Sequence, residues 1–96
     1  MFYYQALYWR SLDEPPSGLI VVEGSPGPLR AVIWNHRVKA WTCDPDSAAW
    51  ILYDDRNSDR WSEVDRARAE EIARSLGTEL PSEPELHRIC GEPAPA

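Results

Sequence analysis

Two apolar runs separated by a stretch holding two prolines and two glycines constrain this chain more than any other feature. Leu19-Ile20-Val21-Val22 is unbroken and largely β-branched. Gly24-Ser25-Pro26-Gly27-Pro28 interrupts it, and the apolar pattern resumes at Leu29, with Ala31 and Ile33 on the face of Leu29 and Val32 on that of Trp34. Proline removes a backbone donor and glycine relaxes the chain, so the interruption reads as a turn. The pattern predicts a hairpin of strands 19–23 and 29–34 with a loop of about five residues.

The rest of the first half extends that sheet. Residues 2–9 are aromatic and are followed by a Pro/Ser/Gly loop at 11–18. Phe2, Tyr4, Ala6 and Tyr8 alternate with Tyr3, Leu7 and Trp9, so both faces are apolar, as in a strand that is central or covered on both sides. Asn35-His36 predicts a tight turn. Residues 37–42 then form a fourth strand, with Val38 and Ala40 opposite Arg37, Lys39 and Trp41. A short strand over 60–64 would return Trp61 to the sheet.

Helical signals follow. Asp44-Pro45-Asp46 supplies an N-cap, a first-turn proline and an acid suited to the helix dipole, and the helix runs on to Tyr53. Asp65 caps a second helix in which Ala69, Ile72, Ala73 and Leu76 make one apolar stripe. Arg66 and Arg74 flank Glu70 at pairing distance, and Gly77 ends the helix. Ser82 and Glu85 form a capping box before a third helix that turns Leu86, Ile89 and Cys90 inward.

Strands first and helices later predict an α+β fold: an antiparallel sheet of three to five strands with two or three helices packed on one face. The expected core is Leu7, Leu19, Val21, Ala31, Ile33, Ile51, Ile72, Leu76, Leu86 and Ile89. The 96 residues suffice for one domain over 1–91, with 92–96 as a flexible tail. The order of elements resembles a set of small, uncharacterised actinobacterial proteins. The resemblance rests on Phe2-Tyr3-Tyr4, Gly18-Leu19-Ile20, Trp41 ahead of Asp44-Pro45, and Ala69-Glu70-Glu71-Ile72-Ala73. It spans roughly residues 2–77 and implies no activity and no residue role.

Charge narrows the function. Sixteen acids against ten bases give −6, which disfavours nucleic acid, whose phosphates require clustered positive charge. The same charge favours a basic protein partner. The aromatic N-terminus lacks the pattern of a signal peptide, and no apolar run approaches the ~20 residues of a membrane span. A cytoplasmic protein with no membrane association is expected, with Cys43 and Cys90 as free thiols and a single disulfide pairing left open.

Four chemistries fail on their spacing. Asp55-x-Asn57-x-Asp59 copies the opening of a calcium loop, but Arg60 and Arg66 stand where glycine and glutamate are needed. His36, Cys43, His87 and Cys90 match no zinc knuckle. No nucleophile elbow occurs, and the two prolines of the Gly24 turn remove amides that a phosphate would require. The chain is therefore read as a non-enzyme without metal or cofactor. Five tryptophans remain to be explained: Trp9, Trp34, Trp41, Trp50 and Trp61. Trp34 and Trp41 share strand faces with charged neighbours and are expected to be half-exposed anchors. With Asp54, Asp55 and Asp59 they form the candidate interface of a protein-binding module, such as an immunity, antitoxin or regulatory partner of a basic protein. The alternative is a structural subunit that self-associates, as a homodimer, through its aromatic strand edge.

Overall fold

Asp44 and Asp65 start the two longer helices as their sequence context predicts. The computed structural model describes residues 2–10, 12–24, 30–54, 56 and 60–89. In helix α1 (Pro45–Tyr53) the Asp44 carboxylate accepts from the Ser47 amide at 3.1 Å, with Pro45 at the first turn. In helix α2 (Arg66–Ser75) the Asp65 carboxylate accepts from the Arg68 amide at 2.8 Å. Each cap satisfies an amide that the helix itself leaves without an acceptor. Gly77, at φ +85°, closes α2: its amide donates to the Arg74 carbonyl, and the next amide, of Thr78, reaches back to Ala73 at 3.0 Å. That left-handed turn is inexpensive only for glycine. Helix α3 (Glu83–Ile89) begins with the Glu85 amide 3.4 Å from Ser82 Oγ.

Five strands form one antiparallel sheet: β1 (Phe2–Leu7), β2 (Gly18–Glu23), β3 (Arg30–Asn35), β4 (Ala40–Cys43) and β5 (Trp61–Val64). Their order is β4-β3-β2-β1-β5. The predicted hairpin is present, with Val21 opposite Val32 and Glu23 opposite Arg30. Residues 25–29 of its connection lie outside the described residues. Strand β1 pairs on both sides, with β2 and with β5, and its apolar faces meet two cores, Tyr4 and Ala6 in one and Leu7 in the other. The aromatic strand is therefore no free edge through which copies could join.

Register sorts the side chains into two layers. Tyr4, Ala6, Leu19, Val21 and Val32 share one face and pack with Ala69, Ile72 and Ala73 of α2 and Leu86 of α3. Ile20 and Ala31 face the other way and pack with Ala48 of α1, joined by Leu7, Ile33, Ile51 and Leu52. The α+β sheet is thus as expected, and two helices, α2 and α3, do share a face, while α1 covers the opposite one. All ten expected core residues are buried or half-buried. Leu19, Ile20, Val21, Ile72 and Leu86 are the largest side chains removed from water, each contributing about 1.5–3 kcal/mol of hydrophobic free energy.

Four local expectations are corrected. The turn predicted at Asn35-His36 is present but longer than two residues. Asn35 ends β3, and its side-chain oxygen accepts from the amides of Arg37 (2.9 Å) and Val38 (3.3 Å), drawing 36–39 into a longer turn with Lys39 at φ 53°. Strand β4 accordingly starts at Ala40, and Arg37, Val38 and Lys39 belong to the turn. Neither Arg66 nor Arg74 forms an ion pair with Glu70. Arg66 donates to the Tyr4 hydroxyl at 2.8 Å and to the Pro81 carbonyl at 3.1 Å, joining the start of α2 to β1 and to the approach to α3. Cys43 is exposed and disulfide-bonded rather than the free thiol expected. The other cysteine of the chain, Cys90, and the tail 92–96 lie outside the described residues.

Candidate binding groove

Strand β1 ends at Leu7, where the chain leaves the sheet. Tyr8 still donates its amide to the Arg60 carbonyl at 2.8 Å, and Ser17 donates to the Leu7 carbonyl at 2.8 Å, so the intervening loop is pinned at both ends. Trp9 and Arg10 lie just past that point. Trp9 is 73% exposed. Helix α1 supplies the facing wall. Its Ala48, Ile51 and Leu52 turn to the sheet, which leaves Trp50 outward and 62% exposed. Helical geometry requires this, since Trp50 lies only two residues from Ala48 and so faces away from the buried side.

Between these walls is a groove of about 710 Å³ at the end of the sheet that carries the close of β1, the start of β2 and the close of β3. Trp34 and Ile33 of β3 contribute to its lining, and the surface is mostly apolar. Trp34 is only 8% exposed, and its indole nitrogen is buried without a hydrogen-bond partner. His36 lies edge-on to Trp34, with ring centroids 6.2 Å apart, and its Nε2 donates to the Ser17 carbonyl at 2.7 Å. Arg10 and Arg60 complete the rim, and neither guanidinium forms an ion pair among the described residues. No Asp or Glu lines the groove among the described residues.

The residues expected from sequence to form the interface do not assemble into one. Trp34 is buried rather than half-exposed: it sits opposite Trp41 in the β3–β4 ladder, with ring centroids 5.5 Å apart. Trp41 is half-buried as expected, but its indole nitrogen donates to Thr78 Oγ1 (3.3 Å) and to the Glu79 carbonyl (3.1 Å), which commits it to holding the α2–α3 connection. Asp54 follows α1, and its carboxylate is taken by Arg56. Those bonds hold its pKa down at about 2. Asp55 and Asp59 lie outside the described residues. Only Trp34 lines the groove.

Sequence reasoning missed Trp9, Trp50, Arg10, Arg60 and His36 as a group because they come from four separate segments. One signal was available for Trp50: the helix-facing positions Ala48, Ile51 and Leu52 already fix the opposite side as outward. Among the described residues, no three His, Cys, Asp or Glu side chains converge as a metal site requires, and no helix is long and apolar enough to cross a membrane. No family model, no curated protein and no solved structure matches the chain.

Proposed function

We propose that this domain is a protein-binding module, of the kind that serves as an immunity protein, antitoxin or regulatory partner, and that the tryptophan groove is its contact surface. The observation that carries the reading is the pair of walls formed by Trp9 and Trp50. Two indoles at 73% and 62% exposure line one apolar concavity, with a third, buried indole also in its lining. Exposing rings of that size to water is costly, and tryptophan is the residue most enriched where a partner removes that cost. Local chemistry also favours binding over catalysis. His36 bonds the Ser17 carbonyl rather than its hydroxyl, and Ser17 Oγ lies 3.4 Å from the Leu7 carbonyl, so no serine–histidine pair is formed. The net charge of −6 would steer a partner with a basic surface over long range, whereas the groove itself determines what is gripped. The disulfide at Cys43 favours a compartment that preserves disulfides over the reducing cytoplasm expected from sequence.

Selection of a random displayed-peptide library on the immobilised domain tests the reading. Peptides carrying aromatic or long aliphatic residues should be recovered and should bind the Trp9→Ala/Trp50→Ala variant at least about tenfold more weakly, the loss expected for hot-spot aromatics. An empty selection, or peptides indifferent to both substitutions, would remove the groove as the contact surface.

A further inference from the structure

The sign of the groove runs against the sign of the protein. The chain carries sixteen acids and ten bases, yet the described lining holds Arg10, Arg60 and His36 and no carboxylate. Neither guanidinium forms an ion pair among the described residues, although the Glu14 carboxylate accepts from the Arg10 backbone amide and so lies beside it. Both arginines sit beside indole walls. An acid brought there would be partly shielded from water, and its hydrogen bonds to arginine would be charge-assisted and bidentate.

Resting on the groove being the contact surface, we propose that its occupant is an acidic segment of another polypeptide, one in which an aromatic or long aliphatic side chain adjoins an aspartate or glutamate. The apolar side chain lies between Trp9 and Trp50, and the carboxylate meets Arg10 and Arg60. An arginine- or lysine-rich segment would face two like charges there and would lose its hydration without compensation. The acids elsewhere on the domain disfavour an acidic segment over the rest of the surface, so its affinity must come from the groove itself.

The test begins from peptides recovered on the wild-type domain and asks what they carry. Asp and Glu should be enriched beside the apolar anchor. Converting those acids to Asn and Gln should weaken binding about tenfold, the scale of one charge-assisted hydrogen bond. Arg10→Gln/Arg60→Gln should abolish that difference between acidic and amide peptides while circular dichroism stays native. Arg10→Lys/Arg60→Lys should restore part of it. Neutral or basic consensus peptides, or acidic peptides unaffected by the arginine substitutions, would overturn the acidic specificity and leave the groove as a binding surface. Peptides indifferent to Trp9 and Trp50 would instead overturn the groove itself. Indole-3-acetate serves as the free aromatic acid, and binding as tight as that of the peptides would overturn the polypeptide as occupant.

Discussion

The Arg66 guanidinium donates to the Tyr4 hydroxyl at 2.8 Å while its carbon lies 5.7 Å from the centre of the same ring, so one side chain grips another by both its polar and its aromatic part. Tyr4 is buried at the centre of β1, and Arg66 opens α2. The second hydrogen bond of Arg66, to the Pro81 carbonyl, draws in the segment that leads to α3. Tyr4→Phe keeps the ring and removes the hydroxyl, leaving one arginine donor poorly satisfied. It should lower unfolding free energy by about 1.5–3 kcal/mol, the range for a hydrogen bond to a charged group. Urea unfolding followed by circular dichroism measures this. A change within error would mean that water replaces the hydroxyl at no cost and that the bond does not hold the helix to the sheet.

The five tryptophans divide by position, and their fluorescence should divide with them. Trp9 and Trp50 are exposed, Trp34 is buried, and Trp41 and Trp61 are half-buried. Acrylamide quenching of the folded protein should therefore come mainly from two residues. Trp9→Phe/Trp50→Phe should remove most of the quenchable component and shift the remaining emission to the blue, with the fold unchanged. Emission from Trp34→Phe, in contrast, should stay red-shifted and fully quenchable in the fraction due to Trp9 and Trp50. If the double variant quenched like the wild type, the exposed walls of the groove would not exist in solution.

Asp54 offers a local check on the end of α1. Hydrogen bonding to Arg56, first from its side chain (2.8 and 3.2 Å) and then from its amide (3.0 Å), lowers the Asp54 pKa from 3.8 to about 2. The folded value lies below the unfolded one, so the interaction contributes in full above the unfolded pKa and is lost as pH falls through about 2. Side-chain carboxyl NMR should show Asp54 titrating below every ordinary aspartate. Arg56→Gln should return it toward 3.8. Because the Arg56 side chain is 82% exposed, salt should weaken the shift.

What could be read from sequence was whatever is decided locally. Asp44, Asp65 and Gly77 act on backbone groups within a few residues of themselves, so their roles survive any tertiary arrangement. The Leu19–Val22 run is buried on both faces, and any packing of it gives a strand. The turn after β3 was misread because Asn35 uses its side chain, rather than a tight backbone turn, to take up two amides. Arg66 was misread because a long side chain at a helix start can choose between Glu70 on its own helix and Tyr4 across the layer, and the buried hydroxyl prevails. The tryptophans were hardest. Trp34 and Trp9 both belong to or adjoin strands, yet one lies opposite Trp41 inside the sheet and the other past the last paired residue, and only the register distinguishes them.

The state of Cys43 contrasts with the sequence reading, which expected free thiols and left a single disulfide pairing open. Cys43 ends β4 at an exposed position and is disulfide-bonded, although the neighbouring pattern of Ala40, Trp41 and Thr42 gives no hint of a cross-link. An exposed bond at the end of an edge strand restrains the unfolded chain more than it packs the folded one. Its loss should therefore appear mainly as lower stability, not as altered structure. Cys43→Ser should cost about 2–4 kcal/mol while leaving the far-ultraviolet spectrum in place. Without reductant, the native and the urea-unfolded protein should both show no reactive thiol, and after reduction the two cysteines of the chain should titrate. Two thiols titrating in the unfolded, unreduced protein would establish the chain as a free dithiol and would return the cytoplasm as its natural compartment.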